Sequence, residues 1–199
     1  MGASFFRVVF VVDIILAYVI RMPHVKRNIR NRVRENRTTA FEWVVMPLTF
    51  VGMQLLPVLQ IATRWLDFAD WRLPPVAVTA LGLAGMTVFA LGLWLLWRAH
   101  ADLGRNWSSK VQLIEGQKLV TTGVYRYIRH PIYAAHWLWA LAQPLLLQNW
   151  IAGLAGLVTY LPAYFHRVPR EEEMLVQHFG DEYLEYIKYT GRVLPIVRR

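Results

Sequence analysis

Two polar stretches hold the residues whose types and spacing could do chemistry. The first, "VYRYIRHPIYAAH" (124–136), gathers Tyr125, Arg129, His130, Tyr133 and His136 around a proline. The second, "HRVPREEEMLVQHFGDEYLEYIKYTGRVLP" (166–195), sets Arg167 four residues before Glu171. On a continuous helix those two share a face, although Pro169 between them could bend it. A guanidinium can hold a carboxylate through two parallel hydrogen bonds, and a glutamate can accept from N–H groups or favour a positive charge. Glu171, Glu172 and Glu173 cannot all face one way, so one of them can turn inward. Plainer readings fit the same residues: an arginine snorkelling beside a solvated acidic run, and an aromatic belt with anchoring charges. His100, His130 and His136 match no metal-binding spacing, so no metal is expected. The chain has no cysteine, and it carries no P-loop, no strand followed by GxGxxG and no Ser–His–Asp signature. An enzyme-bound nucleophile is therefore not expected.

The elements that must position these groups are apolar. Of 199 residues 56% are hydrophobic, nine are tryptophan, and the mean hydropathy is +0.30. Residues 76–97 run 22 positions without a charge and 43–62 run 20, each long enough for a hydrocarbon core of about 30 Å. The apolar region 131–165 is too long for one span, and two short spans, 132–147 and 150–165, joined by a tight turn fit it. Residues 5–20 form a weaker span that holds Arg7 and Asp13, the latter packed against neighbours or facing a polar cavity. The fold class expected is all-α integral membrane, with about five transmembrane helices in a single domain over 1–199.

Charge orients this arrangement. Loop 21–37 carries seven Lys and Arg against Glu35, segment 98–130 is basic again, and connection 63–75 is balanced. Positive loops stay cytoplasmic, which places the N-terminus outside and the C-terminal tail in the cytoplasm. The net charge of +9 then reflects topology and contact with anionic lipid headgroups, and no nucleic-acid partner is expected. Pro47, Pro57, Pro144 and Pro162 fall inside apolar blocks and should kink them. Pro131 stands instead at a helix start, pinning His130 just outside it. Stretch 170–187 predicts an amphipathic helix broken or bent near Gly180. Glycines 82, 85 and 92 permit close helix contact, within one chain or between two.

"GQKLVTTGVYRYIRHPIY" (116–133) followed by "RVPREEEMLVQHFGDEYLEY" (167–186) resembles the isoprenylcysteine carboxyl methyltransferase family, including its small prokaryotic members. Related phospholipid methyltransferases have a similar RHP-then-EE layout. The resemblance covers roughly residues 100–197 and implies methyl transfer from S-adenosylmethionine at the cytoplasmic membrane face. It implies a cofactor site built from about 100–133 and 166–197, with a cytoplasmic loop and a C-terminal helix. Gln117, Lys118, Leu119 and Val120 would follow the cofactor, Tyr125, His130, Pro131 and Tyr133 would complete its pocket, and Glu171 would bind it from the other stretch. Arg167 would sit at the methyl acceptor, a lipophilic small molecule or lipidated chain, as the catalytic residue. The family often has His where Gln117 stands, and eukaryotic members tend to differ within "RVPREEE". Phospholipid N-methylation, a membrane NADPH reductase and a non-catalytic membrane scaffold are the competing readings. The acceptor's identity and the oligomeric state are not legible.

Overall fold

The computed structural model describes residues 2–196. Met1 and residues 197–199, the outermost ends of the expected domain and the last residue of the expected cofactor-site stretch 166–197, lie outside the described residues. The chain forms α1 (Ala3–Asn28), a short strand β1 (Val33–Asn36), α2 (Ala40–Phe50) and α3 (Leu56–Thr63). Then come α4 (Pro75–Leu103), strand β2 (Gln112–Ile114), α5 (Pro131–Leu147), α6 (Trp150–Phe179) and α7 (Asp181–Tyr189). A single π-helical stretch, Val51–Leu55, joins α2 to α3. Among the described residues three helical stretches are long and apolar enough to cross a membrane: Ala3–Asn28, Ala40–Thr63 and Pro75–Asn106. Helix α5 is 17 residues long and forms an apolar hairpin with the first half of α6.

The helices bury narrow stripes and leave the rest of their apolar surface outward, as a lipid-facing bundle requires. On α1 the buried residues are Phe6, Phe10, Ile14 and Ala17, one per turn, while Val8, Val12, Ile15 and Val19 are exposed. Close approach is made by small residues. A Cβ on Gly82 would lie 2.3 Å from the Phe6 ring, and one on Gly85 would lie 2.9 Å from Leu145 and Leu146. The glycine stripe of α4 therefore packs against α1 and α5 of the same chain.

The bundle has two polar ends. At one, Arg7 pairs with Asp70 at 2.6 Å, which accounts for a charge near the start of an apolar helix. Asn149 caps α6, accepting from Ile151 and Ala152 N–H while donating to Leu66 O and Asp70 Oδ1. At the other end α1 continues as helix through Asn28, well beyond its apolar stretch. The segment after it pairs β1 antiparallel to β2, a small ladder that departs from the all-α expectation. Helix α6 runs unbroken through Pro162 and Pro169 to Phe179, and Gly180, at φ +56°, turns the chain into α7. Both polar stretches singled out in the sequence meet at this second end.

Candidate active site

The segment after α4 is pinned before it can bear a side chain on anything. Asp102, one residue from the end of α4, accepts from Val124 N–H at 2.9 Å and from Arg98 at 2.9 Å. Asn106 accepts from Lys118 N–H at 2.8 Å. The Gln117 side chain folds back to accept from Ile114 N–H at 3.0 Å. Between these anchors Leu119 and Val120 belong to no helix or strand, and their main-chain groups bond to no other described residue. Tyr186 on α7 then donates to Tyr125 O at 2.6 Å. Burial, reinforced by the nearby Glu171 charge, pushes the Tyr125 phenol well above its ordinary range, so it stays protonated.

A second constellation straps the tail to this loop. Arg129 and His130 N–H donate to Gly191 O (2.8 Å) and Arg192 O (2.9 Å). Their side chains converge on Glu172 Oε1, at 2.9 Å from Arg129 Nε and 3.3 Å from His130 Nε2, while Arg192 Nε reaches Oε2 at 2.9 Å. Burial would raise this carboxyl, but the hydrogen bonds from His130, Arg192 and Arg129 outweigh it and hold the pKa at about 2. Arg129 and His130 thus sit at the lip of α5 to clamp the C-terminal segment.

The third element faces inward. On one face of α6, Glu171 Oε2 accepts from the Tyr133 hydroxyl at 2.9 Å. Four residues earlier Arg167 lies with its Nε 3.2 Å from Glu42 Oε2 on α2, and both side chains are largely shielded from solvent. Arg167 also donates to Ser109 O at 3.0 Å. Two of the three consecutive glutamates therefore turn inward: Glu171 to the cavity and Glu172 to the clamp.

A cavity of about 210 Å³ connects these parts. Lys118, Leu119, Val120, Tyr125, His130, Pro131, Tyr133, Arg167 and Glu171 all line it, and Gln117 does not. It reaches from Tyr183 and Tyr186 on α7 down to Met46 and Thr49 on α2 and Ala163 on α6, so one space runs from the polar end into the helical bundle. Three lining residues, Arg21, Met46 and Thr49, and Glu42 behind them, come from α1 and α2, where hydropathy alone gives no signal for a partner. Only a lone acid at the head of an apolar block marks Glu42 in the sequence.

The donor set suits S-adenosylmethionine. The unpaired main chain at Leu119–Val120, a carboxylate at Glu171 and the buried Tyr183 hydroxyl, which has no partner among the described residues, offer acceptors and donors beside apolar walls. A ligand with both charged and aromatic parts needs that mixture.

Comparison with known proteins points to the same family. Residues 83–177 match the isoprenylcysteine carboxyl methyltransferase family. Protein-S-isoprenylcysteine O-methyltransferase B of Arabidopsis thaliana is 35% identical over 115 residues, covering 57% of this chain and 58% of the plant protein. The human protein-S-isoprenylcysteine O-methyltransferase is 32% identical over 141 residues, covering 68% of this chain and 50% of its own length. The solved eukaryotic intramembrane Ras methyltransferase, an isoprenylcysteine carboxyl methyltransferase, superimposes with a TM-score of 0.52 at 26% identity, covering 77% of this chain and 50% of that one. The chain thus spans little more than half the length of these relatives. With apolar helices long enough to cross a bilayer and an intramembrane neighbour in structure, it is a helical membrane protein, and its residues 83–177 match the isoprenylcysteine carboxyl methyltransferase family.

Proposed function

We propose that this chain transfers a methyl group from S-adenosylmethionine to the carboxylate of a lipophilic acceptor, such as a C-terminal isoprenylcysteine or an analogue, at the cytoplasmic membrane face. The observation that carries the reading is the single cavity joining Glu171 and Tyr125 at the polar end to Arg167, Met46 and Ala163 inside the bundle. A water-soluble donor and a lipid-embedded acceptor have to meet across such a boundary.

When bound, S-adenosylmethionine supplies a methyl group on a positively charged sulfur, which a carboxylate already ionised at neutral pH accepts without a general base. The protein's task is then to orient and to exclude water. Tyr133 holds Glu171 in place, and Glu171 would answer the positive charge of the bound donor. Leu119 and Val120 present main-chain groups, while Tyr125, His130 and Pro131 close the wall. Arg167, compensated by Glu42, positions the acceptor carboxylate. An amine acceptor of the phospholipid type would need a proton removed, and the guanidiniums of Arg21 and Arg167 that line the inner cavity are poor groups for that. The nicotinamide and scaffold readings find no support in the family match.

The basic segments around 21–37 and 98–130 support an N-terminus outside and a cytoplasmic site. The deciding experiment titrates S-adenosylhomocysteine into the purified protein in detergent, beside Glu171→Ala, and follows labelled methyl transfer to N-acetyl-S-farnesyl-cysteine. Binding lost in the variant, with transfer by the wild type, is the expected result. A folded wild type that binds no S-adenosylhomocysteine would overturn the reading.

A further inference from the structure

We infer that Arg21, which lies outside the region matching the family, holds the acceptor's carboxylate together with Arg167; the inference rests on the methyl-transfer reading above. Arg21 projects from α1 to the cavity wall. One guanidinium nitrogen donates to His136 Nε2 at 3.3 Å. The role of that histidine is fixed by its other nitrogen: Nδ1 lies 2.7 Å from Ile132 O, which can only accept, so Nδ1 carries the proton and Nε2 accepts from Arg21. The guanidinium also stands 5.5 Å from the centre of the Trp107 ring. No carboxylate among the described residues pairs with Arg21.

Other shielded arginines differ in this respect. Arg7 pairs with Asp70, Arg129 with Glu172 and Arg167 with Glu42. Lys110 and Lys118 also line the cavity, but both are exposed to solvent and need no internal partner. A shielded cation without a counter-charge is costly. The inner cavity holds two guanidiniums, Arg21 and Arg167, and Glu42 compensates one of them. Glu171 is the carboxylate that lines the cavity, and the positive donor would answer it. What is missing is one negative charge beside Arg21, which a carboxylate acceptor brings and a neutral or amine acceptor does not.

The reaction itself says which kinetic constant should report this contact. As the C–O bond forms and the C–S bond breaks, the carboxylate and sulfonium charges cancel. A cation beside the carboxylate therefore stabilises the bound acceptor more than the transition state. Loss of Arg21 should raise KM and leave kcat level or somewhat higher.

The test uses the full chain in detergent, saturated with S-adenosylhomocysteine, titrated with N-acetyl-S-farnesyl-cysteine or its carboxamide. The wild type should prefer the carboxylate by about tenfold or more, the size of a charge-assisted hydrogen bond. Arg21→Gln should lose most of the preference, keeping at most the part that Arg167 supplies, and Arg21→Lys should recover some of it. S-adenosylhomocysteine affinity should be the same in all three. In turnover, Arg21→Gln should raise KM for the carboxylate by about tenfold with kcat within about threefold. Equal binding of the two probes by the wild type, an undiminished preference in Arg21→Gln, or a matching loss of S-adenosylhomocysteine affinity would each overturn the assignment. A wild type that prefers the carboxylate through Arg21 yet transfers no methyl would sink the proposed reaction and leave the anion site standing.

Discussion

Arg167 on α6 and Glu42 on α2 meet at 3.2 Å across the cavity wall, where Glu42 is only 4% exposed. The pair fixes the distance between two helices that enclose the inner cavity, and it brings a guanidinium into the bundle without leaving its charge unanswered. Glu42 Oε1 has no hydrogen-bond partner among the described residues, so the pair is an electrostatic contact more than a saturated hydrogen-bonded fork.

Removing either partner should therefore have different consequences. Arg167→Ala leaves a buried glutamate beside the acceptor's place, so turnover should fall by on the order of a hundredfold through misplacement and repulsion. S-adenosylhomocysteine affinity should stay within about threefold. Glu42→Gln keeps the volume but strips the counter-charge, costing on the order of 3 kcal/mol, as broken buried pairs do. Thermal unfolding in detergent reads the second effect, and an unchanged Tm would show that the pair contributes no stability.

Tyr133 reaches Glu171 from the first turn of α5. Tyr133→Phe should free the carboxylate and weaken S-adenosylhomocysteine binding by about tenfold, the range of a hydrogen bond to a charged group. Glu171→Ala should weaken it further. Calorimetry on the two variants decides this, and a Tyr133→Phe protein with wild-type affinity would mean that Glu171 is held by something else.

Glu172 supplies a pH dependence. Its carboxyl is held at about 2 against an ordinary 4.5, so the folded state binds its proton less readily than the unfolded one. The stabilisation is complete above pH 4.5 and is lost as pH falls toward 2. Glu172→Gln should be less stable near neutrality and should show a flatter profile through that window. A denaturation series from pH 7 downward with the same slope in both proteins would contradict the assignment.

The sequence made some of this legible and hid the rest for physical reasons. Helices lie over every expected apolar block because uncharged runs have a strong compositional signal, and Pro131 and Gly180 stand at the helix boundaries expected of them. Hydropathy does not report where a helix stops once it leaves the apolar zone, so the continuation of α1 to Asn28 was invisible. The β1–β2 ladder has four and three residues, too few for a period, and its pairing depends on contacts distant in sequence. Helix α6 continues through Pro169 without a break, because a proline inside a packed helix forfeits one hydrogen bond without ending the helix. Most of the expected pocket residues line the cavity, whereas Gln117 turns to the main chain of Ile114. Glu42 and Arg21 carried no motif, since a single charge near an apolar block does not announce its partner.

Gly123 is where backbone shape and the pocket wall depend on each other most directly. Its φ is +61°, a region that costs a residue with a Cβ roughly 1–2 kcal/mol. A Cβ there would also lie 2.1 Å from Asp102 Oδ2, the oxygen that accepts from Val124 N–H. Gly123→Ala must therefore displace the anchor of the loop that carries Tyr125, while the helices and Arg167 remain in place. S-adenosylhomocysteine affinity should drop by about tenfold, with far-UV circular dichroism and the binding of N-acetyl-S-farnesyl-cysteine retained. If both ligands lost affinity together, the loop and the inner cavity would be one mechanical unit. If neither did, the Tyr125 wall would have no part in holding the donor.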